Sequence, residues 1–257
     1  MRRIVAGLQF RMRKYMVQLN MPTREAILSC RHGFKLLFTE PRQSAIAKSI
    51  FLTGVWEPEV TEFASSLVRP GMVVVDVGAH VGYYTMLFAK LVGEDGHVFA
   101  FEPIPAVSRC LERNTRMNGF TNVTVFSTAL MDVDGSSPIG RRGKLIQVDA
   151  ASLKDPIVET RVFDQWREPW GIDTVDLVKI DVEGAEMNVL LGMDNCIRDS
   201  KPGLLIEVHP QGVGGFGYSV SDLHEFLSAR GYQVQVIDKP GIDSSQENMV
   251  IFCEPMY

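Results

Sequence analysis

The chain has 257 residues, 46% of them hydrophobic and 22% charged, an ordinary globular composition that excludes a largely disordered polypeptide. Its net charge of −5 argues against a broad electrostatic grip on nucleic acid. The four cysteines (Cys30, Cys110, Cys196, Cys253) are far apart with no C-x-x-C pair, so they read as buried thiols in a reducing compartment and exclude a disulfide frame or a zinc site.

At the start of the chain, Arg2, Arg3, Arg11, Arg13 and Lys14 meet no acid before Glu25. Arg11 cuts off the apolar stretch that a secretory signal needs, and no run reaches the roughly 20 apolar residues of a membrane span. A cytoplasmic location is the expectation. Ile4, Leu8, Met12 and Tyr15 stand near helical spacing, which describes a basic amphipathic arm. Such an arm packs on the domain, meets a membrane surface or an acidic partner, or serves as an organelle presequence. Residues 1–70 form an extension that mixes helix with a β-like stretch, Phe34–Phe38, and closes on the turn Arg69-Pro70-Gly71.

From residue 71 to 257 strands and helices alternate. Met72–Val75 reads as a strand, Tyr84–Leu91 as a helix, Val98–Phe101 as a strand, Val107–Met117 as a helix and Val123–Phe126 as a strand. Residues 131–170 break the rhythm with Gly135, Pro138, Gly140, Gly143 and Asp155-Pro156, as an insertion with at most short strands. The rhythm resumes with strand Val175–Ile180, helix Ala185–Leu191, strand Leu204–Val208 and helix Leu223–Ala229. Strands Tyr232–Ile237 and Met249–Cys253 close the chain. Alternation of this kind predicts an α/β fold, a mostly parallel sheet with helices on both faces.

Asp76-Val-Gly78-Ala79-His80-Val-Gly82-Tyr-Tyr84-Thr85 leaves the first strand of that sheet and enters a helix. The carboxyl end of such a strand is where nucleotide-like ligands dock. Gly78 and Gly82 allow a tight turn and close approach of the backbone. A dinucleotide loop needs a middle glycine against its pyrophosphate; here Ala79-His80 stands in that place. S-adenosylmethionine (SAM) has no phosphate and carries an ammonium group that Asp76 could meet, so the loop suits SAM better. Glu102, followed by Pro103, ends the next strand and can accept both ribose hydroxyls. NAD enzymes place an acid similarly, so Glu102 indicates an adenosine-type ligand without separating the classes. An NAD-dependent Rossmann oxidoreductase and a SAM-binding scaffold without catalysis remain the alternatives.

The segments Val74–Thr85, Phe101-Glu-Pro103, Asn118–Val123 and Val178-Lys-Ile-Asp-Val-Glu-Gly-Ala-Glu186 resemble the FkbM family of SAM-dependent methyltransferases, with likeness from about Glu57 onward. The resemblance implies a class I SAM-methyltransferase (Rossmann-like) fold, with seven strands and the last antiparallel. It also implies O-methylation of a hydroxyl on a small-molecule, sugar, polyketide or lipid-like acceptor. His80 stands where many members carry Asn.

A hydroxyl acceptor needs a base. Asp181 and Glu183 follow one strand, and Glu207 and His209 close the next, each pair on one side if the strands persist that far. His209 is the preferred base because imidazole titrates near neutrality. Glu207 would orient that imidazole or grip the acceptor, and Asp181 would face the methionine or acceptor end. Glu183 and Glu186 stand where acids cap and charge the start of the next helix, or serve the site. A divalent cation held by Asp181, Glu207 and His209 is the rival reading. Lys179 is assigned no role. Gln211–Tyr218 reads as a mobile lid or an ordinary loop, and Trp56–Glu59 as a cover over the cofactor. Arg141, Arg142 and Lys144 form a basic cluster able to attract an anionic acceptor.

Overall fold

The computed structural model describes residues 20–139, 157–237 and 248–256. The extension opens with a hairpin, β1 (Ala26–Ser29) against β2 (Lys35–Phe38), followed by helices α1 (Ala45–Thr53) and α2 (Pro58–Leu67). Neither helix nor β1 stood out in the sequence. Ser44 caps α1 by accepting from Ala47 N, and Gly54 ends it in the left-handed region.

Next come β3 (Val73–Val77), α3 (Tyr83–Val92), β4 (His97–Phe101), α4 (Pro105–Met117) and β5 (Val123–Phe126). In the expected insertion, β6 (Ala129–Leu130), β7 (Gly135–Pro138) and β8 (Ile157–Arg161) form a small sheet of their own, followed by α5 (Phe163–Trp166). The basic cluster at Arg141–Lys144 lies outside the described residues, as does the arm before residue 20. The chain then runs through β9 (Leu177–Ile180), α6 (Glu186–Gly192), α7 (Asp194–Ser200) and β10 (Gly203–Val208). The last elements are the short α8 (Pro210–Val213), a 3-10 turn at Gly214–Phe216, α9 (Val220–Ala229), β11 (Tyr232–Ile237) and β12 (Met249–Pro255).

The main sheet has seven strands in the order β11-β12-β10-β9-β3-β4-β5. From β10 to β5 all neighbours are parallel, and the last strand, β12, lies antiparallel between β11 and β10. This is the class I methyltransferase sheet. Residues alternate between its faces. Val74, Val98, Leu177 and Leu205 pack under α1–α4, together with Phe34 and Leu36 of the hairpin. Val75, Val77, Phe99, Phe101, Val178 and Ile206 pack on the other face, under α5–α7 and α9. Residues 20–67 therefore share one core with the sheet, and the boundary expected at 70/71 falls in the turn before β3.

A polar ladder ties the hairpin to α4. Cys110, Asn114 and Asn118 recur every fourth residue and so share a face. Cys110 Sγ donates to Leu37 O (3.3 Å), Asn114 Oδ1 accepts from Leu37 N (2.7 Å), and Asn118 both accepts from Lys35 N (2.8 Å) and donates to Lys35 O (2.7 Å). The side chains of α4 thus satisfy the edge of β2 as a neighbouring strand would. Asn114 is fully buried and its amide also donates to Val81 O (2.8 Å), joining the loop after β3 to the hairpin. No described helix is long and apolar enough to cross a membrane.

Candidate active site

The loop after β3 is shaped by contacts that exclude side chains. Gly78 has φ 79°, and a Cβ there would stand 1.9 Å from the carbonyl oxygen of Asp181. The β3 and β9 ends can approach this closely only because position 78 is glycine. His80 also takes a left-handed φ of 51°. Gly82 (φ 93°) opens α3, and a Cβ there would meet Leu111 Cδ1 at 2.3 Å.

Asp76 is fully buried on β3. Thr85 Oγ1 donates to its Oδ2 (2.6 Å), while its Oδ1 makes no hydrogen bond and lies 3.9 Å from Lys179 Nζ. The register explains the pairing. Asp76 and Lys179 are Cα partners on adjacent strands, and Lys179 pairs in turn with Leu205, two residues before Glu207. All three polar residues therefore face α1–α4. Lys179 Nζ also reaches Asp181 Oδ2 (3.4 Å) and stands over the Tyr84 ring at 4.7 Å. Tyr84 Oη donates to Glu57 Oε2 (3.1 Å), at the start of α2. Burial alone would lower the Lys179 pKa; the charges of Asp181, Asp76, Glu207 and Glu57 outweigh it, and the net shift is upward. Lys179 stays a cation among four carboxylates.

Glu102 sits just past β4, 5% exposed. Its Oε2 accepts from His80 N (3.0 Å) and its Oε1 from Ile104 N (2.9 Å). Burial pushes its pKa up to about 7 against the pull of those two N–H groups. Each oxygen retains acceptor capacity toward the cavity it lines.

β9 ends at Ile180 and β10 at Val208, so Asp181, Glu183 and His209 lie on loops beyond the strands. His209 Nδ1 bonds Glu186 Oε1 at 2.7 Å, and Glu186 also accepts from Gly184 N (2.9 Å). The group that orients the imidazole is therefore Glu186, not the expected Glu207, which faces the Lys179 side of the sheet and pairs with Asn248 Nδ2 (3.3 Å). Glu186 is fully buried in the first turn of α6, where it charges the helix start as expected and also holds the imidazole. His209 Nε2 stands 3.8 Å from Glu183 Oε2 and 4.0 Å from Asp181 Oδ1. Burial would lower the His209 pKa, but the Glu186 hydrogen bond and the three carboxylates reverse this and raise it. Just beyond, the expected lid begins with a tight contact: a Cβ on Gly184 would meet Gly212 Cα at 2.5 Å. The stretch 210–216 is folded as α8 and the 3-10 turn.

These elements border a cavity of about 520 Å³, within the usual range for a small-ligand site. Of the sequence candidates, Gly78, His80, Glu102, Pro103 and Asp181 line it, as does Glu183. Asp76, Ala79, Gly82, Tyr84 and Thr85 stand behind the lining as support, and Glu207 and His209 are likewise not among the lining residues. Trp56, expected as a cover, does line it. Sequence reasoning gave Lys179 no role, did not pair Glu186 with His209, and missed Asn114 and the wall formed by Phe38–Glu40 and Gln43–Ile46. Strand alternation puts Lys179 on one face, but only the strand order brings it beside Asp76. Among the described residues, no group of three or more His, Cys, Asp or Glu is disposed to hold a metal ion.

A solved structure of methyltransferase FkbM from Methylobacillus flagellatus KT shares the fold, with a TM-score of 0.50 at 18% identity over 80% of this chain and 52% of that one. The 2-O-methyltransferase NoeI of Sinorhizobium fredii is 29% identical over 51% of this chain and 61% of its own length. The 31-O-demethyl-FK506 methyltransferase FkbM of Streptomyces tacrolimicus is 30% identical over 55% of this chain and 67% of its own. The chain thus spans about two-thirds or less of the length of these relatives. The model of the methyltransferase FkbM domain matches residues 76–234, running from the buried aspartate of β3 into β11 and taking in Glu102, Lys179, Asp181 and His209. With that match over more than half of its length, the chain belongs to the FkbM methyltransferase family.

Proposed function

We propose that this chain transfers a methyl group from SAM to a hydroxyl oxygen of a small-molecule, sugar, polyketide or lipid-like acceptor. The observation that carries the reading is the charge of the cavity. Its described lining holds the carboxylates of Glu40, Glu102, Asp181 and Glu183 and no Lys or Arg. Such a wall suits a cationic sulfonium and a ribose, and it opposes the pyrophosphate of a dinucleotide. Glu102 fits the ribose hydroxyls, since backbone N–H groups hold its oxygens in place and leave lone pairs free. The O-methyltransferase names of the NoeI and FkbM relatives support oxygen as the methylated atom.

When bound, SAM supplies a methyl group on a positively charged sulfur, and transfer is an in-line displacement in which positioning carries most of the catalysis. An acceptor hydroxyl oriented toward that methyl group would need a base to take its proton. Asp181 lines the cavity and is the carboxylate we assign to that proton. His209, 3% exposed and hydrogen-bonded to Glu186, stands within 4.0 Å of Asp181 and Glu183 and acts as a post that positions their loop. Lys179 holds Asp181 from the other side.

The test is methyl transfer from labelled SAM to sugar, polyketide and lipid hydroxyl panels, with SAH binding followed by calorimetry. Asp181→Asn is expected to cut transfer by roughly 10²-fold or more in an otherwise folded protein. Binding of NAD in place of SAH would overturn the reading. Activity lost with chelator and restored by Mg²⁺ would replace the base assignment with metal activation.

A further inference from the structure

We infer that the extension supplies the third wall of the cofactor pocket. On this inference Phe38–Ile46 and Trp56 close over the adenosine moiety, opposite Glu102. This rests on the reading that the cavity binds SAM. It goes beyond the family match, which begins only at residue 76.

Three observations carry it. First, the cavity is continuous from Gly78, His80 and Glu102 to Phe38–Ile46 and Trp56, so a ligand on the ribose-binding carboxylate faces the extension across a single volume. Second, Pro103, Ile104 and Val107, which line the cavity beside Glu102, belong to the entry and first turn of α4. The same helix grips β2 two turns later, so the wall leaving β2 at Phe38 is registered to the carboxylate by one rigid element. Third, Asn114 bonds Leu37 N and Val81 O with one buried side chain, fixing the glycine-rich loop and the hairpin to each other. The strand from which this wall departs is thus fixed at Lys35 and Leu37 to α4, and through Asn114 to the loop after β3, on either side of the cavity. Its composition fits a nucleoside: Phe38, Ile46 and Trp56 offer apolar and aromatic surface, and Thr39, Gln43 and Ser44 offer hydrogen-bonding groups.

The experiment uses the full chain and SAH as the probe. Amide exchange is measured over residues 39–46 with and without SAH, and SAH affinity is measured by calorimetry for Gln43→Trp and Ala45→Trp. Both positions are exposed away from the packed core, so the variants keep the fold, as the melting temperature will show. The expected result is slowed exchange at 39–46 on SAH addition and a loss of SAH affinity of roughly tenfold or more in at least one variant. If SAH binds the wild-type protein but leaves exchange at 39–46 and both affinities unchanged, the inference is overturned while the SAM reading stands. If SAH does not bind the wild-type protein, the SAM reading fails, and this inference with it.

Discussion

Glu102 and His209 are both buried ionisable groups, and their environments push in ways that pH can expose. The Glu102 carboxyl is raised to about 7 from the ordinary range. Between those values the folded protein holds more protons than the unfolded chain, so this group's contribution to stability falls as pH rises from about 4.5 to 7. Ribose hydroxyls require the ionised form. SAH affinity measured by calorimetry is therefore expected to rise from pH 6 to pH 8 in the wild-type protein and to lose that rise in Glu102→Gln. His209 carries the same sign of pH dependence. Its folded pKa is raised, so its pairing with Glu186 stabilises the protein fully below about pH 6.5 and fades as pH climbs through the raised value. His209→Ala leaves Glu186 buried without its partner and is expected to cost about 3 kcal/mol at pH 6, by denaturant unfolding, and less at pH 9. Asp76 and Glu102 could be picked out in the sequence because each ends a β-branched or aromatic run beside a turn residue. Lys179 and Glu186 could not, since their meaning lies in partners 103 and 23 residues away in the chain.

At the level of elements, the strands and the helices after residue 71 follow hydrophobic period, and that signal is strong when both faces of a sheet are covered. In the extension the β-like stretch Phe34–Phe38 corresponds to β2, whereas the positions of α1 and α2 are not legible from period alone. The short α1 and α2 are legible chiefly by their caps at Ser44 and Pro58, and their apolar faces have meaning only once the hairpin and α3 are there to receive them. The strand ends at Ile180 as expected and does not persist to Asp181, where the chain leaves β9 for a left-handed Glu183. That departure depends on Gly78, under which the loop passes. Gly78→Ala sets a Cβ against backbone at 1.9 Å and at φ 79°. It is expected to destabilise the protein by about 2–3 kcal/mol or more and to weaken SAH binding together with it, as read by thermal unfolding with and without ligand.

Across the whole molecule, the described part of the extension and the sheet unfold as one unit if the shared core means what it physically should. Leu36 and Phe34 are buried with Tyr83, Met86 and Leu111. Coincident far- and near-ultraviolet transitions are expected, and Leu36→Ala should lower the midpoint of both together, by an amount matching about 2–5 kcal/mol. Two separated transitions would contradict this. The α4 ladder also decides where this chain tolerates recombination. A crossover at the 70/71 turn would set a foreign β2 against Cys110, Asn114 and Asn118, or in the reciprocal chimera leave Lys35 and Leu37 to a helix selected for another strand. A crossover beyond Asn118 would transplant strand and gripping helix as a single cassette, with Glu102 between them. Functional chimeras are therefore expected to join after residue 118.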